Sequence, residues 1–389
     1  MPRTWLIACC LTAAVGLFIF PLSIVPAEAP VPAVKLIEYG WDTPRPEFVR
    51  THIVEMERRP FDGVIIRLPD GGGDVFQPKS WNAEKFEPQI PILRDIQWQS
   101  FDSNFLAMYA TSSMDWYDDD DWRVVTEHAA FMARAAREGH CKGLMFDPEP
   151  YAGPSPWNYS GQLHASVHAF ADYEVVVRRR GREFMRALQR EYSGLDLLTL
   201  HSYSFFLRAG ASPDINTREK VLAGHPWGLL PAFLNGMLEE ADSSTRITDG
   251  HEQSYFFERP EDFARGAAEV RRGAIPYVSS ELRAKYAGQF QTAQSVYLDW
   301  IFGYYKASRP NVTDGLSDEQ RALLAEHHAY YAMKNADRYV WSYSEKMNWW
   351  TGEHLPSGAE HALRSARRKF AAGESLGFEL TAILPQPAR

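Results

Sequence analysis

The chain has 389 residues, a formal net charge of -9, 45% hydrophobic residues and 13% aromatic residues. That length allows a large core in one unit, since α/β barrels routinely exceed 250 residues as a single domain. The acidic balance argues against a nucleic-acid partner, because phosphate binding needs clustered Lys and Arg, and the one dense basic run, Arg178-Arg179-Arg180 with Arg182, reads as a solvated helix face.

Residues 1–29 read as a signal peptide. Arg3 supplies the positive start, Trp5 to Val25 is almost wholly apolar, and Ala27-Glu28-Ala29 offers a small-residue cleavage site. The expected location is secreted or periplasmic, with no stable membrane span after cleavage. An uncleaved anchor competes, because the apolar run approaches spanning length despite Pro21 and Ser23. Cys9 and Cys10 leave with the signal and only Cys141 remains, so the mature chain has no disulfide framework and no cysteine metal site.

From there strand-like and helix-like patterns alternate. Val34 to Tyr39 is a strand, followed by Gly40-Trp41-Asp42; a helix from about Glu47 to Arg59 stops at Pro60. Gly63 to Leu68 is the second strand. It ends in Pro69-Asp70-Gly71-Gly72-Gly73-Asp74, a loop and not a phosphate cradle, since no Lys-Ser or Lys-Thr follows. Phe105 to Tyr109 is the third, with Asp115-Trp116-Tyr117 and an acidic run, Asp118 to Asp121, expected as a solvated loop before a helix from about Arg123 to Arg137. Leu195 to Leu200 is the fifth, after a long helix bearing Phe170, Tyr173, Val177, Phe184 and Leu188. Arg246 to Glu252 is a weaker sixth and Ala293 to Leu298 a seventh. Arg338 to Tyr343 is the eighth, after a helix opened by Ser317 and Gln320 at capping-box spacing; in that helix His327 and His328 read as one buried and one exposed histidine.

The fourth strand carries the strongest signal. Gly143-Leu144-Met145-Phe146-Asp147-Pro148-Glu149-Pro150-Tyr151 is a buried strand that ends in two acids. Alternation puts Asp147 and Glu149 on one face, about 6.5 to 7 Å apart. Each acid precedes a proline, which disfavours the helical region and keeps both extended.

Eight such units are the count that closes a (β/α)₈ barrel, expected here as a single domain over residues 30–384 with a tail at 385–389. An open doubly wound sheet is the alternative, but no dinucleotide glycine fingerprint follows the first strand. In a barrel the residues just after each strand converge on one rim. Those positions give Tyr39, Trp41 and Asp42; Arg67; Tyr109, Asp115 and Trp116; Asp147 and Glu149; His201 and Tyr203; Asp249, His251 and Glu252; Tyr297 and Asp299; Trp341, Tyr343 and Glu345.

Aromatic faces stack on the apolar side of a pyranose, and acids and imidazoles bond to its hydroxyls, so this rim suits a carbohydrate partner. Cleaving a glycosidic bond needs a proton donor and a second carboxylate. Glu149 is the expected acid, reaching inward with its pKa raised by a charged Asp147; its partner is Glu252 or else Asp147 as an orienting or stabilising carboxylate, and the remaining rim residues, Glu345 included, are expected in substrate binding. Neither a metal nor a cofactor is expected. A non-catalytic sugar-binding barrel and a metal-dependent hydrolase or lyase on the same scaffold are the alternatives.

The run Phe146-Asp147-Pro148-Glu149-Pro150-Tyr151 resembles the D-x-E ending of chitinase-like barrel glycosidases, and Trp341 is similar in placement to the tryptophan that floors their pocket. The resemblance implies the barrel, a glycosidase activity, Glu149 as acid, and Asp147 and Trp341 as site residues. The family's further upstream aspartates are missing, with Gly143 and Met145 in their places, so an acetamido sugar is not carried over.

Overall fold

The computed structural model describes residues 34–111, 114–151, 153–209, 214–305 and 312–384. The signal peptide expected at 1–29 and the tail at 385–389 lie outside them. Nine strand segments run through the described residues: β1 (Lys35–Gly40), β2 (Gly63–Ile66), β3 (Phe105–Tyr109), β4 (Gly143–Asp147), β5 (Asp196–Thr199), β6 (Arg246–Asp249), β7 (Phe290–Thr292), β8 (Gln294–Tyr297) and β9 (Tyr339–Ser344). All pairings between them are parallel, in the order β7-β6-β5-β4-β3-β2-β1-β9-β8.

The two ends of that order are consecutive halves of one stave. Thr292 registers with Asp249 of β6, and two residues later Gln294 registers with Val340 of β9. At the break the Ala293 amide donates to Asp249 O and the Asp337 amide donates to Thr292 O, both at 2.8 Å. The stave hands its pairing from one neighbour to the other, and the ring closes with eight staves. Its first half was not visible as a strand, because Gln291 and Thr292 break the apolar pattern.

Strands covered on both faces need near-continuous apolar runs, and β2 and β4 are buried at every position. The crossovers are helices Pro46–Met56, Gln89–Arg94, Asp119–Glu138, Phe170–Glu191, Leu230–Glu240, Pro260–Ala268 and Asp318–Asn335, with Ala359–Ala371 after β9. The acidic run Asp118 to Asp121 is no solvated loop. Asp118 caps helix Asp119–Glu138 by accepting from the Asp120 and Asp121 amides, and the acids of the first turn complement the helix dipole.

Helices Phe170–Glu191 and Leu230–Glu240 cross at two glycines, where a Cβ on Gly181 would stand 2.2 Å from Phe233 O and one on Gly236 2.0 Å from Arg178 O. The basic run of the first helix is only partly solvated. Arg180 is buried, bound to Asp119 (2.6 Å), Glu183 (2.8 Å) and the Trp116 carbonyl (3.1 Å). His327 and His328 are both buried, and desolvation holds them down to about 4 and about 3, the second also depressed by its neighbour.

Register decides which way each strand end faces. Met108, Phe146, Thr199 and Asp249 form one row, and Phe146 in that row packs outward on Phe76, Phe184 and Phe233. Tyr39, Tyr343 and Tyr297 form a row of the opposite face, pointing into the barrel mouth, and Tyr109 with Asp147 makes a second such row. Among the described residues no helix is long and apolar enough to cross a membrane.

Candidate active site

A cavity of about 720 Å³ opens at the C-terminal ends of the staves. Its charged side grows out of β4, β5 and β6. After β4, Pro148 and Pro150 keep the chain extended, and the Trp157 indole donates to Pro148 O at 2.6 Å. Asp147, Glu149 and Tyr151 therefore point the same way. The Tyr151 hydroxyl lies between Asp147 Oδ2 (2.6 Å) and Glu149 Oε2 (2.7 Å), and the Glu149 amide donates to Asp147 Oδ1 at 3.0 Å.

The two acids are tuned in the opposite sense to the sequence expectation. Asp147 is fully buried, and burial first, then the charge of Glu149, pushes its carboxyl up to about 7 against the opposing bonds from Tyr151 and the Glu149 amide. Glu149 feels partial burial too, but His201 and the Tyr151 hydroxyl outweigh it and hold the carboxyl below its usual range. The physical reason is position: Asp147 sits behind Tyr151, while Glu149 opens onto the cavity beside an imidazole.

His201 follows β5, its turn fixed by the Thr199 hydroxyl donating to His201 O at 2.7 Å. Its Nε2 stands 2.8 Å from Glu252 Oε2 and 3.8 Å from Glu149 Oε1. Burial alone would lower this imidazole; the two carboxylates overcome it and push it up to about 10. Glu252 is delivered by a tight turn after β6, where His251 adopts φ +48°. Asp249 stabilises that turn by accepting from the His251 amide (3.0 Å) and ties it to the β5 loop by accepting from the Ser204 amide (3.3 Å). One ligand atom from each of Glu149, His201 and Glu252 lies within 4.8 Å of the others.

The facing wall is aromatic. Tyr39 and Tyr297 each lie 5.5 Å from Tyr343 between ring centroids, and Tyr255 stacks on Tyr343 at 5.5 Å and 14°. Trp41 is 65% exposed, with its indole donating to the Tyr343 hydroxyl at 3.1 Å. The Tyr297 hydroxyl donates to Glu345 Oε1 at 3.2 Å, and Arg67 and Tyr109 complete the lining.

Of the rim residues expected from sequence, the structure brings Tyr39, Trp41, Arg67, Tyr109, Glu149, Glu252, Tyr297, Tyr343 and Glu345 to the cavity, with His201 against the two acids and Asp147 behind them. The others are elsewhere. Trp116 is buried among Phe76, Trp122, Trp157 and Phe233 and donates to Pro156 O at 2.8 Å. Asp115 contacts His164 at 2.8 Å, and His251 is buried with Nε2 3.5 Å from Glu269. Tyr203 is packed on Tyr286 and Phe290, and its hydroxyl donates to Asn235 at 3.3 Å. Asp249 faces outward, as its row dictates.

Asp42 and Asp299 are also structural anchors. Asp42 accepts from the Trp349 amide at 2.7 Å, and Asp299 accepts from the Glu345 and Lys346 amides at 2.9 Å each, so both acids fix the loop that carries Glu345. Trp341 registers with Ile37 and Ser295, one layer below Tyr343. It floors the wall from beneath Tyr39 and Tyr255 and donates to Gly250 O at 2.8 Å. The lining also includes Tyr151, Tyr255, Phe256 and Tyr305, which rim counting missed. Tyr151 continues the i, i+2 series of Asp147 and Glu149, a legible signal; Tyr255 and Phe256 sit on a short helical turn whose direction no periodicity announces.

Closed parallel barrel, acids at the C-terminal mouth, aromatic wall: these define the class as a (β/α)₈ barrel with its site in the usual place for that fold. No known family model and no curated protein matches the sequence. Solved structures that resemble it include a glucosidase from Croceicoccus marinus (14% identity, covering 88% of this chain and 68% of that one, TM-score 0.43). A broad-specificity GH5-4 endoglucanase from an uncultured bacterium (13%, 82% and 84%, TM-score 0.44) and a GH18 chitinase from Pseudoalteromonas aurantia (9%, 82% and 97%, TM-score 0.38) are similar at the same distance. Likeness this remote leaves function to be argued from the site.

Proposed function

We propose that the chain is a glycoside hydrolase that cleaves a polysaccharide or glycan with Glu149 and Glu252. The observation that carries this reading is a pair of carboxylates with oxygens within 4.8 Å of one another, facing an aromatic wall across a cavity of about 720 Å³. Retaining glycosidases hold their two carboxyl groups about 5 to 5.5 Å apart and inverting ones about 6.5 to 9.5 Å, so this separation favours retention of configuration.

The electrostatics suggest a division of labour that differs from the one expected from sequence. Glu149, held ionised by His201 and Tyr151, attacks the anomeric carbon and forms the glycosyl-enzyme bond as the glycosidic bond breaks. The leaving oxygen takes its proton through Glu252 from the His201 imidazolium that touches it at 2.8 Å, and the same pair then accepts a proton from the water that releases the sugar. Tyr39, Trp41 and Tyr343 offer stacking faces, and Glu345 and Arg67 offer hydroxyl contacts. Export directed by residues 1–29 belongs to the same proposal, and the N-terminal sequence of the protein recovered outside the cell tests it.

The experiment is hydrolysis of a glycan panel, followed by release of reducing ends and by NMR of the first-formed anomer. The expected result is retention, with Glu149→Gln and Glu252→Gln each losing at least about a thousandfold in kcat. Full activity in either variant removes that residue from its role. Calorimetric binding of a glycan that is never cleaved makes the chain a carbohydrate-binding barrel.

A further inference from the structure

We infer that Glu149, His201 and Glu252 form a site for a first-row divalent cation at the base of the cavity. The three groups come from the ends of adjacent staves β4, β5 and β6, and their ligand atoms lie within 4.8 Å of one another. Ligands bound at about 2.1 Å stand about 3 to 3.6 Å apart around one ion. Two of the three separations, 2.8 Å and 3.8 Å, bracket that range, and Glu149 and Glu252 keep enough exposure (36% and 23% of each side chain) to rotate into the third.

The independent sign is the orientation of the imidazole. His201 is 7% exposed, yet neither ring nitrogen makes a well-directed hydrogen bond among the described residues, and Glu252 Oε2 is likewise without one. Nε2 is 2.8 Å from that oxygen, close enough for a hydrogen bond, but its N–H direction misses it. Neither atom is therefore committed to a directed bond that an incoming cation would have to break. Glu149 is prepared for the same ion: the Tyr151 hydroxyl occupies Oε2 and leaves Oε1, the oxygen nearest His201, to face inward. Support of a ligand carboxylate by a second hydrogen-bonded group is how metal sites fix ligand orientation.

One imidazole, which gives up its proton as the cation takes its place between the acids, and two carboxylates are a donor set for Mn²⁺, Co²⁺ or Zn²⁺, and they supply two negative charges to offset the ion. Three protein ligands beneath an open cavity leave further coordination positions for water or sugar hydroxyls. The cation would use the same oxygens that the proposed hydrolysis needs, so cation binding and glycoside cleavage exclude one another. The cation site itself does not depend on the glycosidase reading; the inhibition it causes does.

Manganese is the probe of choice, because Cys9 and Cys10 of the full chain would compete for softer zinc. Titrating Mn²⁺ into the full-length protein and following loss of the free-ion electron paramagnetic resonance signal should give one bound ion per chain. Affinity should fall at least a hundredfold in His201→Ala and Glu252→Gln, and about tenfold in Tyr151→Phe, where only the support is lost. Melting curves confirm that each variant is folded, and Glu252→Gln keeps the side-chain volume should His201→Ala not fold. No binding at millimolar Mn²⁺, or binding that survives both substitutions, overturns the site. Hydrolysis that continues unchanged with the ion bound overturns the exclusion, whereas a protein that binds Mn²⁺ but cleaves no glycan retains the site and loses the glycosidase reading.

Discussion

The two mouths of the barrel hold similar groups and treat them in opposite ways. At the N-terminal end Asp196 is buried, but its carboxylate accepts from the Tyr339 hydroxyl and pairs with Arg338 at 2.9 Å, and Phe105 closes over Tyr339 at 5.3 Å. Gly143 lets the neighbouring stave approach so closely that a Cβ there would stand 1.8 Å from Asp196 O. At the C-terminal end the acids share their partners: one tyrosine hydroxyl lies between Asp147 and Glu149, and one imidazole stands beside both Glu149 and Glu252. A satisfied buried charge holds a fold together, and an undersupplied one is available to a substrate or an ion.

That contrast can be broken at either mouth. The largest effect is expected at the upper one, where Glu149→Gln should abolish nearly all turnover while moving the melting temperature by no more than about 2 °C, since the residue is half-exposed and serves no packing role. The reverse pattern is expected below. Asp196→Ala strands a partly covered Arg338 and a buried tyrosine hydroxyl, and chemical denaturation should show a loss of about 3 kcal/mol with kcat of the surviving folded protein unchanged. A variant that swapped these two outcomes would mean the mouths had been assigned the wrong way round.

Smaller changes sharpen the comparison. Asp299 does not itself line the cavity but holds the Glu345 and Lys346 amides, so Asp299→Ala should lower kcat/KM by about tenfold through a displaced Glu345, mostly in KM. Trp41→Ala removes an exposed stacking face and should raise KM severalfold without altering kcat. Acid tests the helix layer around the barrel. His128, His327 and His328 are held by burial at about 4, about 4 and about 3, below the ordinary histidine value of about 6.5. The unfolded chain takes up those protons first, so the stability they contribute is present above about pH 6.5 and is lost as pH falls toward 4. Melting temperature against pH should drop across that window, and His328→Gln should flatten the drop.

How much of this was legible follows from which signals are local. The D-P-E-P-Y run declared itself because strand alternation and the proline rule act within a few residues, and the structure keeps Asp147, Glu149 and Tyr151 on one side. Counting residues after each strand found Tyr39, Tyr343 and Tyr297, which share one row. The same counting misplaced Asp249, because a step of one residue at a strand end turns a side chain from the cavity to the helix layer, and Asp299, because the chain turns into a short helix at Leu298–Ile301 and alternation stops. Trp116 and Tyr203 went astray for a different reason: they stand on a turn and at the start of the short helix Tyr203–Ala209, whose paths are set by the aromatic clusters they enter.

The sequence by itself determined the alternation of eight staves with their helices and the rim to which the acids belong, because periodicity, capping and proline restriction are properties of neighbouring residues. Tertiary structure alone decided that the seventh stave divides its pairing between two neighbours, and that Asp147 and not Glu149 has the raised pKa. It also decided that His201 meets Glu252. Those outcomes depend on burial and on through-space charge between residues tens of positions apart, which no local pattern encodes.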